Sequence, residues 1–503
     1  MIPMSLSEVA QAVAGTLAGG ADPAAVVSSS VVADSRRAGP GSLFVALPGE
    51  RADGHEFAAA AVSAGAVAVL AGRPQGVPCV VVAEPLPALG ELARAVVDRA
   101  GSELSVIGVT GSSGKTSTKD LLAAVLRRRG ATVAPPGSFN NELGAPLTAL
   151  TIDAGTRFLV AEMGARMPGN VSYLCAVTPP RIGIVLNVGT AHVGVFGSRE
   201  IIAATKGELV EALPPDGLAV LNADDVLVRG MAGRTRARVV LVGQSPDADV
   251  RAENVRLDAL ARARFRLVTP AGEADVTLAV HGEHMIANAL AAAAVGLEIG
   301  MTPGEVAEAI AQARPASRWR MEVVERADGV VVINDAYNAN PESMRAALNA
   351  LAAIGDGERG PGTGRRTWAV LGEMLELGEH TRREHDELGR LAVRLNISRL
   401  VVVGTGGAEC LYQGAAQEGS WSNEALWLPD TDAVVAHLST ELEPGDVVLV
   451  KASRAVGLDR LAEALLAVEV TAGPQPEAGT QPEAGPQPEA GPRPEAGPAE
   501  AFR

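Results

Sequence analysis

Short apolar runs alternate with Ala-rich stretches along most of the chain. Over residues 1–100 the runs SLFVAL, VAVLAG and CVVVAE have the length of strands, and the stretches between them suit helices. Residues 58–72 are Ala-rich at first and apolar at their end, which predicts a helix leading into a strand and not a membrane span. The pattern predicts a small α/β unit over residues 1–100.

A second unit is predicted over residues 101–315. Its apolar runs LSVIGVT, FLVAEM, RIGIVLNV, LAVLNA and RVVLVG are spaced for helical crossovers, which indicates a parallel sheet. Residues 249–281 change to short alternating runs, so antiparallel strands are expected at an edge of that sheet.

Three helices of this unit are predicted from their end signals. One begins near Thr116 and ends near Gly130, because glycine suits the C′ position of a helix. A second covers residues 284–299. A third follows Thr302, where a proline at the first helical position and Glu305 complete a capping box.

The last part of the chain is predicted to hold a third α/β unit and a tail. Residues 316–470 contain the strand-like runs VVVIND, TWAVLG, RLVVVG and DVVLVK. Residues 471–503 repeat a six-residue phrase, PQPEAG and its variants, which is too poor in apolar residues to bury a core. We therefore expect an α/β protein of three units followed by a disordered tail.

Composition narrows the function classes. A chain of 503 residues is too long for one core, and 47% apolar with 20% charged residues is typical of a soluble globular protein. The net charge of −16 argues against a nucleic-acid partner. Three scattered cysteines do not make a disulfide framework or zinc site, and the N-terminus lacks a signal-peptide pattern. We expect a cytoplasmic protein without membrane insertion.

Lysine is scarce in this chain. Of 43 basic residues, four are lysines, namely Lys115, Lys119, Lys206 and Lys451. Where arginine otherwise supplies positive charge, a lysine marks a position that needs a compact or chemically modifiable amine. Chance retention is the alternative for any one of them. Three of the four fall within the motifs that follow.

The phrase GVTGSSGKT, residues 108–116, lies between a predicted strand and a predicted helix. Glycines let backbone amides face an anion, Lys115 can reach the β- and γ-phosphates, and the Thr116 hydroxyl can bind Mg²⁺. Gly108 stands one residue too early for the general spacing, and a chance Gly-Lys-Thr is the alternative. Glu162, at the end of FLVAEM, is a candidate oxygen ligand or else a solvated strand-end glutamate. The residues alone indicate a magnesium-dependent ATP user.

The sequence TGSSGKT, with a glycine two residues before its first threonine, resembles the phosphate loop of the Mur ligase family. The similarity extends over about residues 30–460. It implies a UDP-binding domain in residues 1–100, an ATP-binding P-loop domain in residues 101–315 and a Rossmann-like ligase domain in residues 316–470. The implied cofactors are ATP and Mg²⁺.

The resemblance also implies a catalytic group made of Lys115, Glu162, His192 and Lys206. Thr116, Glu162 and His192 would hold the metal, and Lys206 would be carbamylated, which turns an amine into an oxygen donor. Two alternatives stay open on the residues alone. A lone histidine is usually structural, and Lys206 could be a helix-surface lysine that pairs with a nearby glutamate.

Further site residues are implied by matching phrases. ATP-binding residues are expected at Gly108, Thr110, Gly111, Ser112, Ser113, Gly114, Lys115, Thr116, Ser117, Asn288 near the adenine, Arg320 and Asp335. Substrate-binding residues are expected at Ser35, Arg36, Phe44, Ala46, Asn140, Asn141, Lys451 and Ser453. A surface arginine is the alternative for Arg320. Asn340 and Pro341 are accounted for as the N-cap and first residue of a helix.

Two phrases indicate which reaction of the family to expect. DSR at residues 34–36 with PGSLFVALPGERADGHEF resembles the UDP-binding domain of members that add the third residue or the dipeptide, and LGEMLELGEHTRREH, residues 371–385, resembles the D-alanyl-D-alanine-adding members. Ala452 stands where the family usually has glycine. The resemblance implies a monomer that joins D-alanyl-D-alanine to a UDP-muramoyl-tripeptide through an acyl phosphate, in peptidoglycan synthesis. Alternatives are a diamino-acid-adding or folylpolyglutamate-synthase-like ligase, or a nucleotide-binding regulatory protein without catalysis.

Overall fold

A computed structural model describes residues 1–49, 52–357, 364–419 and 424–467. The tail predicted over residues 471–503 lies outside the described residues. Residues 1–467 belong to one compact unit. No helix in the described part of the chain has both the length and the apolar character needed to cross a bilayer.

The first hundred residues build a small sheet with helices beside it. In the described chain its strand order is β2-β7-β6-β5-β4, and the short pair β1 and β3 lies apart from it. The helix-to-strand prediction over residues 58–72 is confirmed by α2 and β6. The elements are β1 Met4–Ser5, α1 Leu6–Ala12, β2 Thr16–Ala18, β3 Val26–Val27, β4 Val31–Val32, β5 Leu43–Val45, α2 Ala58–Ser63, β6 Ala68–Ala71, β7 Cys79–Val81 and α3 Pro85–Ala100.

A larger sheet follows, with the order β16-β15-β14-β13-β12-β11-β8-β10-β9 within the described residues. Strands β8 to β14 pair in parallel, and β14, β15 and β16 pair antiparallel, which confirms the predicted antiparallel edge. Its elements are β8 Ser105–Thr110, α4 Lys115–Leu126, β9 Thr132–Val133, α5 Gly144–Ala149, β10 Phe158–Glu162, α6 Asn170–Val177, β11 Ile182–Val185, α7 Val193–Phe196, α8 Arg199–Glu211, β12 Leu218–Asn222, α9 Val226–Arg229, β13 Arg238–Gly243, β14 Val250–Leu257, β15 Arg262–Thr269, β16 Gly272–His281, α10 Met285–Glu298 and α11 Pro303–Gln312.

Beside the larger sheet, helix α11 begins where the sequence signals predict, whereas helix α4 does not end where they predict. The capping box at Thr302 is formed with Glu305, as predicted. Helix α4 ends earlier than predicted, at Leu126, and Gly130 does not have the positive φ of a C′ glycine. A Cβ at Gly130 would lie 2.7 Å from the side chain of Arg157, so this glycine makes room for a neighbour and does not end the helix.

The small sheet, the larger sheet and a third sheet, each with its helices and loops, are called the first, second and third layers. The third sheet has the order β17-β18-β22-β19-β20-β21 in the described chain. All its pairings are parallel except that of β17 with β18. The edge strands β17 and β21 did not stand out in the sequence. The elements are β17 Glu322–Glu325, β18 Val331–Asn334, α12 Pro341–Asp356, β19 Thr367–Leu371, α13 Thr381–Arg394, β20 Arg399–Val403, α14 Gly407–Gln417, β21 Ala425–Leu428, α15 Thr431–Glu441, β22 Val447–Lys451 and α16 Asp459–Ala467.

The strand order of the central sheet creates a crevice. β8 lies between β10 and β11, so the chain leaves β8 toward one side of the sheet and later returns to the other side. Ligands of open α/β sheets bind at the carboxyl ends of the strands beside such a reversal. The ends of β8, β10 and β11 carry the loops that begin at Gly111, Met163 and Leu186.

A buried polar cluster lies where β19 and β22 of the third sheet begin. Asp446 is 3% exposed and accepts hydrogen bonds from the Arg366 guanidinium (2.9 and 2.7 Å), from Trp368 Nε1 (2.9 Å) and from the Glu443 amide (3.0 Å). Each donor meets an acceptor, so the cluster can stabilise the fold although it buries a charge.

Replacing Asp446 with alanine is expected to lower the free energy of unfolding by about 3 kcal/mol, the lower end of the range for a broken buried ion pair, since Arg366 keeps some contact with water. Urea titration measures this as a lower midpoint. The exposed Asp432→Asn variant is the control and should change stability by less than about 0.5 kcal/mol. Equal midpoints for Asp446→Ala and the control would contradict the assignment.

Candidate active site

The phosphate loop lies between β8 and α4, at the crevice. Helix α4 begins at Lys115, and the amides of Lys115, Thr116 and Ser117 donate no hydrogen bond within the described chain. The first amides of a helix, together with its dipole, form a binding site for an anion. The loop therefore offers donors that a phosphate group can satisfy.

Gly114 closes the loop against helix α10. Its φ is +81°, and a Cβ there would lie 2.6 Å from Asn288 Oδ1. Only glycine tolerates both this backbone conformation and this approach. Asn288 is buried and also donates to Met285 Sδ at 3.4 Å, so the structure places it against the phosphate loop.

Four residues predicted to bind ATP have other contacts. Gly108 lies within β8, where a Cβ would be 2.9 Å from Leu209, and the Thr110 hydroxyl donates to the Met163 carbonyl at 2.9 Å. The amides of Ser112 and Ser113 donate to the carbonyl (3.1 Å) and side-chain oxygen (2.9 Å) of Asn187. These residues shape and brace the loop, because their amides and hydroxyl are already committed.

Lys115 and Glu162 face each other across the loop. Lys115 Nζ donates to the Gly111 carbonyl at 2.7 Å; burial lowers the pKa of Lys115, and the charge of Glu162 opposes that shift. Glu162 ends β10 and is 1% exposed. Its Oε1 accepts from Asn140 Nδ2 at 2.7 Å and from the Thr116 hydroxyl at 3.2 Å. Its Oε2 is buried without a partner among the described residues.

His192 has a partner in the third layer. The residue stands before α7 with φ +61°, and its Nδ1 pairs with the carboxylate of Glu376, which itself has φ +64°. Burial lowers the pKa of His192 and the Glu376 carboxylate opposes this. In the described chain no three His, Cys, Asp or Glu side chains form a group that could hold a metal. The structure thus brings Thr116 and Glu162 together, while His192 contacts Glu376.

Lys206 lies inside the protein on helix α8. It is 5% exposed, and its amine forms no hydrogen bond with the described residues, so the interpretation as a surface lysine paired with a glutamate is wrong. Its pKa lies well below the ordinary value because the amine is buried and Lys115 is positively charged, with Glu342 opposing both effects. Lys119 and Lys451 are 1% exposed, so three of the four lysines are buried and Lys115 is half-buried.

Arg320 reaches the phosphate loop from the third layer. Its guanidinium donates to Ser138 Oγ at 3.0 Å and to Thr116 Oγ1 at 3.3 Å, and it stacks on the ring of Tyr337 at 4.0 Å. The neighbouring residues Trp319 and Met321 both have positive φ, of 59° and 48°. This strained backbone directs the arginine toward the loop. The alternative of a surface arginine is therefore wrong.

Asp335 and Lys451 form a buried pair at the carboxyl edge of the third sheet. Lys451 Nζ donates to Asp335 Oδ2 at 2.6 Å and to the Asn338 carbonyl at 2.9 Å, and Asp335 Oδ1 accepts from the Met321 amide at 3.1 Å. Ser453 Oγ accepts from the Leu375 amide at 2.9 Å. Lys451 and Ser453 were predicted to bind substrate. In the structure, the Lys451 amine and the Ser453 hydroxyl form hydrogen bonds with residues of the loops around the site.

The remaining predicted substrate residues lie in different settings. Phe44 and Ala46 bury their side chains in the core of the first layer, Phe44 lies in a strand that is paired on both sides, and the Ala46 amide donates to the Leu70 carbonyl at 2.9 Å. Arg36 is exposed and pairs with Asp34, which also caps the turn containing Ser35. The side chain of Asn141 accepts from the Gly144 amide at 2.9 Å at the start of α5. The methyl group of Ala452 lies beside Gly372, whose lack of a side chain accommodates it.

Sequence reasoning missed several residues that hold the site. Asn187 braces the phosphate loop, Glu376 pairs with His192, Tyr337 supports Arg320, and Glu342 accepts from Thr190. Only position could have indicated Asn187, because it directly follows the apolar run of β11. Glu376 and Glu342 act across the interface between two sheets, Tyr337 acts within the third layer, and no local pattern marks these three residues.

Comparison with protein families gives matches to all three layers. Residues 28–100 match the description "Mur ligase family, catalytic domain", residues 109–296 match "Mur ligase middle domain", and residues 319–454 match "Mur ligase, glutamate ligase domain". The matches cover the phosphate loop, Glu162, His192, Lys206, Asn288 and Asp335.

Individual proteins are similar over nearly the whole chain. The UDP-N-acetylmuramoyl-tripeptide--D-alanyl-D-alanine ligase of Mycobacterium tuberculosis is 51% identical over 513 aligned positions, covering 95% of this chain and 100% of that protein. The crystal structure of MurF from Acinetobacter baumannii superposes with a TM-score of 0.82 at 30% identity, covering 92% of this chain and 99% of that one. MurF of Thermotoga maritima in complex with ADP superposes with a TM-score of 0.75 at 30% identity, covering 88% and 97%.

The buried amine of Lys206 leads to a prediction about stability and pH. Lys206→Met should raise the free energy of unfolding at neutral pH in bicarbonate-free buffer, and it should lower kcat about 100-fold or more in buffer that contains bicarbonate. Burial keeps the pKa of Lys206 low in the folded state, whereas the unfolded chain has the ordinary lysine pKa. At neutral pH, folding must therefore remove this proton or bury the charge, and either one lowers the free energy of unfolding. The difference in free energy of unfolding between Lys206→Met and the parent protein should shrink as pH rises toward the ordinary lysine pKa, because Lys206 then loses its proton in the unfolded chain as well.

Urea titrations of both proteins across this pH range, with phosphate-release assays, test the prediction. Lys451→Met is the matched control: it leaves Asp335 buried without its cation and should destabilise the protein by about 3 kcal/mol or more. A Lys206→Met variant that is less stable than the parent protein at neutral pH would contradict our interpretation.

Proposed function

Because the chain belongs to the Mur ligase family, we propose that it joins D-alanyl-D-alanine to the terminal carboxylate of a UDP-N-acetylmuramoyl-tripeptide, with ATP converted to ADP and phosphate. The product is the UDP-muramoyl-pentapeptide used in peptidoglycan synthesis. The full-length similarity to ligases of this name is the observation that carries the proposal. No observation favours a diamino-acid-adding or folylpolyglutamate-synthase-like ligase.

The geometry of the phosphate loop supports the use of ATP. The amides of Lys115, Thr116 and Ser117 have no acceptor among the described residues, so a triphosphate can bind at the N-terminus of α4. Lys115 would exchange the Gly111 carbonyl for phosphate oxygens. Arg320, which belongs to the third layer, donates to the Thr116 hydroxyl beside the phosphate loop. Its positive charge can therefore neutralise charge on the transferred phosphoryl group.

The residues present fit a magnesium ion beside the phosphates. Glu162 Oε2 is buried and has no partner within the described part of the chain, and the Thr116 hydroxyl donates to the other oxygen of the same carboxylate. Mg²⁺ prefers such oxygen donors together with phosphate oxygens. We propose that Thr116, Glu162 and His192 hold it, with His192 released from Glu376. When bound, the ion supplies charge neutralisation and orientation of the phosphates.

The reaction we propose has two steps. A carboxylate oxygen of the tripeptide attacks the γ-phosphorus, and the bond from that phosphorus to the bridging oxygen of ADP breaks. The amine of D-alanyl-D-alanine then attacks the carbonyl carbon of the acyl phosphate, loses a proton and expels phosphate. Packing of the third layer onto the phosphate loop excludes water, which would otherwise hydrolyse the acyl phosphate.

We further propose that the UDP part of the substrate binds the first layer near Ser35, Arg36, Phe44 and Ala46. The protein would act as a monomer in the cytoplasm. Its thiols at Cys79, Cys175 and Cys410 are unpaired, which fits a reducing compartment.

An acceptor screen tests the proposed reaction. With ATP, Mg²⁺ and UDP-muramoyl-tripeptide, phosphate release should depend on D-alanyl-D-alanine and stay at background with free diamino acids or glutamate. Lys115→Met should lower the rate about 100-fold or more, because it removes the cation that faces the phosphates. Release that requires a free diamino acid or glutamate would refute the substrate assignment, and no release with any acceptor would favour a regulatory protein.

Carbamylation of Lys206 is testable separately. The low pKa of its buried amine leaves a neutral nucleophile that can add carbon dioxide. With ¹³C-labelled bicarbonate, the protein should show a carbamate carbon resonance that is absent in Lys206→Arg. Lys119→Arg is the control and should keep the signal. A spectrum identical in the parent protein and Lys206→Arg would rule out the carbamate.

A further inference from the structure

The N-terminus of helix α12 is the place where the third layer docks on two loops of the central sheet. Asn340 caps the helix by accepting from the Ser343 amide at 2.9 Å, and its Nδ2 donates to the Ser112 carbonyl at 3.2 Å, within the phosphate loop. Pro341 and Glu342 are the first two residues of the helix. Asn340 thus has a second role besides capping.

Glu342 makes the contact with the other loop. Its Oε1 accepts from the Thr190 amide at 2.7 Å and from the Thr190 hydroxyl at 2.9 Å. Its carboxylate packs directly against Gly189, because a Cβ at position 189 would lie 2.3 Å from Glu342 Cδ. A side chain at position 189 would have to displace this carboxylate. The contact joins residues 152 positions apart in the sequence.

The loop held by Glu342 connects several parts of the site. It begins at Asn187, which braces the phosphate loop, and continues through Thr190 to His192. The Gly189 amide donates to Ser112 Oγ at 2.9 Å, and the Val188 amide donates to Asp225 at 2.8 Å. Beyond His192, the Gly194 amide donates to the Glu376 carbonyl at 3.2 Å. A shift at Thr190 would therefore move both the phosphate loop and His192.

We propose that Glu342 is a positioning residue whose carboxylate locks the third layer onto the Gly189–Thr190 turn, so that Arg320, the phosphate loop and His192 are held in one arrangement for phosphoryl transfer. This inference rests on the proposed ligase function for its catalytic consequence. The docking contact itself does not depend on that function. Glu342 touches neither ATP nor substrate in this role, and acts through Thr190.

Amide hydrogen exchange without substrates tests the contact. The Thr190 amide should be protected in the parent protein, and Glu342→Ala should increase its exchange rate about tenfold or more, which corresponds to the loss of about 1.4 kcal/mol of protection. Glu342→Asp keeps the negative charge at the helix N-terminus but is one methylene too short, so it should behave like alanine. Glu342→Gln keeps an acceptor oxygen and should preserve most of the protection.

Steady-state kinetics test the catalytic consequence with the same variants. Glu342→Ala and Glu342→Asp should lower kcat about 10- to 100-fold while KM for ATP changes little, because misplacement of catalytic groups acts on the transition state. Glu342→Gln should restore most of kcat. Asp356→Asn, at the exposed far end of α12, is the matched control and should change neither quantity.

The outcomes separate the two claims. Fast exchange of Thr190 in the parent protein would overturn the docking contact even if the enzyme is a ligase. Protection that responds as expected, with kcat unaffected in Glu342→Ala, would overturn the positioning role. A Glu342→Gln variant as slow as Glu342→Ala would show that charge matters and not the hydrogen bonds, which also overturns the proposal. If no acceptor supports turnover, the exchange experiment still decides the contact.

Discussion

The site depends on two amines that lie near each other, that of Lys206, which is buried, and that of Lys115, which is half-buried. Burial and the charge of Lys115 lower the pKa of Lys206, and burial lowers that of Lys115 as well. Such an arrangement is unfavourable unless anions are close by, because charged groups lose hydration inside a protein. Three carboxylates, from Glu162, Glu342 and Glu376, surround the two amines and His192. Their negative charges oppose the lowering of the pKa of Lys115, Lys206 and His192.

The architecture brings these groups together by a simple rule. The carboxyl ends of parallel strands gather at one edge of a sheet, and here two such edges face each other. β8, β10 and β11 supply the phosphate loop, Glu162 and the loop to His192. β18, β19 and β22 supply Asp335, the loop with Glu376 and Lys451. Arg320 and the phosphate loop lie on different sheets, and docking of the two layers brings them into contact.

The phrase of residues 371–385, which indicated the dipeptide-adding members, acquires a physical meaning in the structure. His385 is fully buried, accepts from the Met374 amide at 2.8 Å through Nε2, and contacts the Thr381 carbonyl at 2.7 Å through Nδ1. These contacts use both ring nitrogens and fix the loop that carries Glu376. The loop in turn meets Gly194, where no side chain would fit. The residues around the site thus hold loops in place as much as they offer groups to ligands.

The sequence by itself determined most strands, the phosphate loop, the capped start of α11 and the special standing of the four lysines. Each of these depends on residues near one another in the chain, where periodicity, glycine and capping chemistry act locally. The tertiary structure alone decided the end of α4 at Leu126, the burial of Lys206, the bracing by Asn187, and the pairing of His192 with Glu376. Those features join residues far apart in the chain, for example Gly130 with Arg157, and His192 with Glu376, which are 184 positions apart. They depend on which sheet edges meet in space, and no local pattern of side chains records that meeting.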